Sequence, residues 1–192
     1  MRNAARRSAG NASGQTASTA LDRLGVRAGE TLLIHAAAGG VGSFAVQLAR
    51  ARGVHVIGTA SERNHDYLRS LGATPVRHGD GLIDRLRAAA PQGVDAALIG
   101  VAADEAVHAS RELVAQPGRI GTLAFHPLAA QFGIARLSTE RSIARLAALV
   151  IHYTEGALKV EIERAYPLTD AAAAHHRMET RHVRGKIVFQ IS

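Results

Sequence analysis

Between residues 30 and 124 the chain alternates five short apolar runs with amphipathic stretches, and that rhythm limits its folds more than any other feature. A strand covered by helices on both faces reads as an unbroken apolar run, and helical crossovers join such strands in parallel. The runs lie at residues 31–35, 54–58, 75–78, 94–99 and 119–124. In the stretch after the first run, Val41, Phe44, Ala45, Leu48 and Ala49 recur at helical spacing. Further helices are predicted over 62–71, 82–90 and 104–115, with Gly53, Gly72, Gly93, Gly100 and the pair Pro117-Gly118 as breaks. The pattern predicts an α/β fold: a doubly wound parallel sheet of the Rossmann type. Beyond Phe125 we expect a sixth strand at 132–137 and a long helix at 138–155 capped by Ser138 or Thr139. A C-terminal strand–helix–strand tail at 159–166, 169–182 and 186–191 completes the chain.

The segment that carries chemistry is His35-Ala36-Ala37-Ala38-Gly39-Gly40-Val41-Gly42-Ser43, between a predicted strand and a predicted helix. Glycines there let the backbone turn tightly and approach a pyrophosphate, and the helix N-terminus offers unpaired N–H groups and a positive dipole end. Positions 36, 39 and 42 follow the spacing G-x-x-G-x-x-G with alanine first. We therefore expect Ala38, Gly39, Gly40, Val41 and Gly42 to bind a dinucleotide.

Its identity depends on the end of the second strand. NAD sites commonly place an acid about 20 residues past the glycines, on the ribose hydroxyls. Ser61 stands nineteen residues past Gly42 (61 − 42), and Thr59-Ala60-Ser61 holds no acid. Ser61 and Arg63 suit a 2′-phosphate, which makes NADPH the expected cofactor. Glu62, if turned inward, would take the NAD role. Ser61 as a helix cap and Arg63 as a solvated cation are the plain structural alternatives.

Several motifs together resemble the quinone oxidoreductase branch of the medium-chain dehydrogenase/reductase superfamily. Thr31-Leu32-Leu33-Ile34-His35 runs into Ala37-Ala38-Gly39-Gly40-Val41-Gly42-Ser43 and Ala45-Val46-Gln47-Leu48-Ala49. Gly58-Thr59-Ala60-Ser61, Leu71-Gly72-Ala73 and Arg184-Gly185-Lys186-Ile187-Val188 follow, and Gly14-x-Thr16-Ala17-x-x-Ala20-Leu21 is similar to the family's first helix here. The resemblance implies hydride transfer from NADPH to a quinone or another electron-poor carbonyl or enone acceptor, without zinc. It also implies that His78, where the family tends to carry a tyrosine, lies near the adenosine. The family usually has glycine at Ala36. It also carries a GroES-like catalytic domain before this region, whereas thirteen unrelated residues precede Gly14, so a truncated enzyme is expected. The tail from Lys159 resembles the return into that domain. No catalytic acid or base is assigned. A non-catalytic nucleotide-binding or interaction module with the same fold is the alternative.

Composition narrows the rest. With 192 residues, 47% hydrophobic and 20% charged, the chain is one globular domain in size and character. The expected division is a disordered extension over 1–13, a dinucleotide-binding domain over 14–158 and the tail over 159–192. The absence of cysteine excludes disulfides and thiolate zinc sites, and a reducing cytoplasm is the simplest home. The net charge of +7 points to anionic partners. Scattered basic residues, 4% aromatics and no tryptophan argue against nucleic acid as the main one. No apolar run reaches a membrane span, since 143–153 is broken by Arg145 and His152. The apolar stripe Ile143, Leu146, Ala147, Val150 is core or subunit packing, so a homo-oligomer stays open. His175, Glu179 and His182 share a predicted helix face but are read as solvated rather than metal-binding.

Overall fold

The computed structural model describes residues 2–190. Six strands form one parallel sheet: β1 (Thr31–His35), β2 (His55–Ala60), β3 (Thr74–Arg77), β4 (Ala96–Ile99), β5 (Ile120–Thr122) and β6 (Ala135–Arg136). Their order is β3-β2-β1-β4-β5-β6, the doubly wound arrangement expected from the alternation. The side chains of β1 show why both faces need cover. Leu32 and Ile34 enter one buried cluster with Leu21, Phe44 and Val46, while Leu33 enters a second with Leu86, Val107 and Ile120. Successive residues of a strand point to opposite faces, so an unbroken apolar strand requires two cores.

Helices α1 (Arg2–Leu24) and α2 (Gly42–Ala51) cover the first face, and α4 (Leu82–Ala89) and α5 (Asp104–Leu113) the second. Between β2 and β3 lies α3 (His65–Ser70), preceded by a single 3-10 turn over Glu62–Asn64. The extension expected to be disordered before Gly14 is instead helical, because α1 runs back to Arg2. Ala17, Ala20 and Leu21 anchor that helix in the core, and alanine-rich sequence carries it onward. Met1 and Ile191, assigned to the extension and to the last strand, lie outside the described residues.

The region after Phe125 departs from expectation. A short helix α6 (Pro127–Gln131) precedes the expected sixth strand, of which only β6 remains. The long helix begins later, as α7 (Ile143–Thr154), and its cap is Ser142, whose hydroxyl accepts from the Arg145 amide at 3.1 Å. Neither Ser138 nor Thr139 caps it. Thr139 Oγ1 is paired with Thr16 Oγ1 at 2.7 Å, and the Gln15 side chain accepts from the Ser142 amide at 2.9 Å. Contacts with α1 thus hold 139–142 outside the helix. Gly14 permits that closeness, since a Cβ there would stand 2.9 Å from Leu149 Cδ1.

The tail forms β7 (Ile162–Pro167), α8 (Ala171–Glu179) and β8 (Lys186–Gln190), with β7 and β8 in a separate parallel pair. It lies against the main sheet's glycine turn. Gln47 of α2 donates to the Lys159 carbonyl at 3.0 Å and accepts from its amide at 2.7 Å. Leu158 and Val160 belong to the first core cluster.

Candidate functional site

In an open α/β sheet, ligands bind outside the carboxyl ends of the strands where the strand order reverses. Here that point lies between β1 and β4, and the turn leaving β1 is the glycine-rich one. Its backbone is tied down on both sides. The Ala37 amide donates to Thr59 O of β2 at 3.0 Å, and Gly39 N donates to Ala36 O at 3.0 Å. The amides of Gly40 and Val41 have no acceptor among the described residues, and Gly42 heads the first turn of α2. Free amides at the head of a helix are the donors that an anion needs.

The three turn glycines do different things. A Cβ at Gly42 would stand 2.4 Å from Ala36 O and 2.7 Å from Ala37 Cα, so only glycine lets α2 start there. A Cβ at Gly39 would meet only Ala36 O, at 3.3 Å. At Gly40 the neighbour is Lys186, from the tail. Ala36 itself has φ 57°, the left-handed region that the family's usual glycine occupies without strain.

Two adjoining cavities open over this turn. The smaller, about 360 Å³, brings together Ala38, Gly39, Ser61, Arg63 and His78. The larger, about 600 Å³, is lined by Gly39 to Gly42 and by Gly100, Leu123 and Ala124 from the ends of β4 and β5. Ala36, Gly39, Val101 and Arg181 line both, so the two join into one trough across the strand ends. All eight residues singled out from sequence therefore face this trough.

The end of β2 resolves how the neighbouring side chains divide. Ser61 precedes the 3-10 turn without capping it, and its hydroxyl accepts from Asn64 Nδ2 at 3.3 Å. Arg63 faces the trough and donates to the His182 carbonyl at 3.0 Å. Glu62 lies outside the trough, 74% exposed, with its carboxylate 3.6 Å from Arg77. The acid that does line the smaller cavity is Glu105 of α5. Its carboxylate accepts from the Gly79 amide at 2.8 Å and stands 3.9 Å from His78 Nδ1. Beneath them His35 is buried, with Nδ1 3.2 Å from Thr59 Oγ1, and burial lowers its pKa to about 3. It is neutral at physiological pH.

Sequence reasoning missed Glu105, the β4 and β5 ends and the tail residues Arg181, Val183 and Lys186. The strand ends were findable from the general rule for open sheets. The tail carried no local signal beyond the resemblance.

A model of the zinc-binding dehydrogenase family matches residues 71–189, more than half of the chain. The chain belongs to this family. Among solved structures, the quinone oxidoreductase of Coxiella burnetii is 35% identical with a TM-score of 0.80, over 94% of this chain and 59% of that one. A mycobacterial protein solved in complex with NADPH is 27% identical with a TM-score of 0.76, over 94% of this chain and 62% of that one. Among curated proteins, a mycocerosic acid synthase-like polyketide synthase of Mycobacterium tuberculosis is 31% identical over 86% of this chain. The chain spans about three-fifths of the two solved chains and 9% of the synthase. In this dehydrogenase family fold, the present chain corresponds to the cofactor-binding part.

The family's name raises the question of zinc, and the described residues do not fit it. The sequence holds no cysteine, and no group of three or more potential ligands stands together among the described residues. Of the helical trio, His182 falls beyond the end of α8, and Glu179 pairs with His176 at 3.3 Å. No helix among those described is long and apolar enough to cross a membrane.

Proposed function

We propose that this chain is the NADPH-binding domain of a reductase that delivers hydride to a quinone or another electron-poor carbonyl or enone acceptor. The observation that carries the reading is the division of side chains after β2. Ser61 and Arg63 face the trough with His78, while Glu62 pairs with Arg77 outside it. In this reading, Ser61 and Arg63 hold the 2′-phosphate, with His78 beside the adenosine. Ala38, Gly39, Gly40, Val41 and Gly42 receive the pyrophosphate, and the cofactor's other end lies in the larger cavity.

When bound, the reduced nicotinamide supplies a hydride; the chain's own residues orient it and exclude water. Val101, Leu123 and Ile187 give that end an apolar lining. The similarity to quinone oxidoreductases, to a structure holding NADPH and to a polyketide synthase supports reduction of an activated acceptor. The acidic side chain that lines the smaller cavity, Glu105, comes from α5 and not from the end of β2, where an NAD site commonly places its acid, which weakens the NAD alternative. A cysteine-free chain fits a cytoplasmic protein.

Calorimetric titration with NADPH and NADH tests the reading. NADPH is expected to bind more tightly, and Arg63→Ala to weaken NADPH selectively by ~1–3 kcal/mol, the loss of one charge-assisted contact. Equal affinities, or an NADH preference abolished by Glu62→Ala, would overturn it. Oxidation of NADPH by a simple quinone then tests the reaction. Binding without turnover, both by the chain and by a fusion to a related catalytic domain, would favour a non-catalytic module.

A further inference from the structure

Helix α7 is apolar yet mostly uncovered. Its core side is narrow: Leu149 is buried, with Leu146 and Tyr153 half-buried beside it. Ile143, Ala147, Val150 and Ile151 all lie in solvent, with Ile143 90%, Ile151 54% and Val150 41% exposed. These positions recur at i, i+4, i+7 and i+8, the spacing of one helix face. A surface helix of a monomer ordinarily turns such a face inward and its polar residues outward. Here α7 is apolar on both sides, and the exposed Ala144 and Ala148 widen the outer one. Of the stripe expected from the sequence, Leu146 thus turns towards the core, and Ile143, Ala147 and Val150 turn away from it.

The charges around α7 fall into two groups. Glu140 and Arg145 are engaged with α1, through Arg23 and Asp22 respectively. Arg141, just before the Ser142 cap, and Glu155, at the C-terminal end, are exposed and form no ion pair among the described residues. Unlike charges thus stand at opposite ends of an exposed apolar stripe. Such a surface is complementary to itself. A copy rotated by half a turn about the middle of the stripe lays apolar residues on apolar residues and brings each Arg141 alongside the partner's Glu155. Parallel pairing would set like charges and like ends of the helix dipole together. Alanines at 144, 147 and 148 let two such helices pack closely, towards the lower end of the usual interaxial range of about 8–10 Å.

We propose that two copies of this chain associate through antiparallel α7 helices, stripe against stripe, with an Arg141–Glu155 ion pair closing each end. The inference is independent of the cofactor reading, since no residue of α7 lines the trough. An anionic membrane suits the stripe less well. A helix lying on such a surface carries cations along its flanks, whereas this one ends in an exposed carboxylate. One helix from each copy makes a small contact, so the association is weak, with a dissociation constant of about 10–100 µM.

Sedimentation velocity of the 192-residue chain over about 1–500 µM tests this. The 20.2 kDa monomer should give way to a dimer as concentration rises. Ile151→Glu buries an unpaired charge in the contact, and should weaken association by about tenfold or more while leaving the melting temperature unchanged. Arg141→Glu and Glu155→Arg each set like charges together and should each weaken it by about threefold or more. Combining Arg141→Glu with Glu155→Arg in one chain should restore association to within about twofold of the unaltered protein. That restoration is specific to antiparallel pairing, because parallel helices would oppose like charges in every variant. A chain that stays monomeric throughout, or a dimer indifferent to Ile151→Glu, overturns the proposal. So does a double variant that pairs no better than either single one. A monomer that instead co-sediments with phosphatidylserine vesicles also overturns it and assigns the stripe to a membrane surface.

Discussion

The amide of Gly185 donates to the carbonyl of Ala38 at 2.9 Å, a bond that fastens the C-terminal strand pair to the glycine-rich turn. Gly185 can make it because it sits at φ 65°, with Glu161 O only 2.4 Å from where a Cβ would be. Gly185→Ala combines a left-handed backbone with a clash against main chain, so we expect it to destabilise the domain by about 2–4 kcal/mol. Urea unfolding measures this, and a loss below 1 kcal/mol would mean that the tail is not held here.

The turn glycines should respond differently. Gly42→Val is expected to unfold the domain or cost it several kcal/mol, because backbone atoms at 2.4 and 2.7 Å leave no room for a Cβ. Gly39→Val should leave the melting temperature nearly unchanged and reduce dinucleotide affinity, since its added atoms enter the trough. Thermal unfolding beside calorimetry distinguishes the two, and parallel behaviour of the variants would contradict the assignment.

Ala36 at φ 57° holds an L-residue in a conformation that costs it about 1–2 kcal/mol. Ala36→Gly relieves that strain and gives back part of the gain through the greater freedom of the unfolded chain. A net stabilisation of about 0.5–1 kcal/mol is expected, read from the urea midpoint at constant m-value. Destabilisation would show that the alanine methyl contributes packing beyond its strain.

Acid sensitivity should divide into two windows. His35 titrates near 6.5 when unfolded and, lowered by burial, at about 3 when folded. The unfolded state therefore binds more protons in between, so His35's contribution is intact above 6.5 and is lost as pH falls towards 3. Glu30, held down to about 2 chiefly by its hydrogen bond with Arg119, contributes above its ordinary 4.5 and loses that as pH falls towards 2. Stability measured across pH should thus decline with a slope of up to about 1.4 kcal/mol per pH unit from His35 alone before Glu30 adds to it. His35→Gln should flatten the upper window and Glu30→Gln the lower. A slope unchanged in both variants would assign the acid response elsewhere.

Features encoded by near neighbours along the chain were legible without the structure. The unbroken apolar run Leu32-Leu33-Ile34 demanded a strand buried on both faces, and five such runs separated by helical periods demanded a parallel sheet. The glycine cluster between strand and helix located the trough, and Ser61, Arg63 and His78 stood at its far end. Tertiary structure alone decided the rest, because the deciding partners are far apart along the chain. Glu62 is turned outward by Arg77, Thr139 is held from helix by Thr16, and Arg63 reaches the carbonyl of His182, 119 residues away. Capping and periodicity rules act within a turn or two and carry no information about such pairs. Lys186 shows the same limit: it sits 146 residues (186 − 40) after Gly40, and only the docking of β8 on the turn puts its charge over the trough.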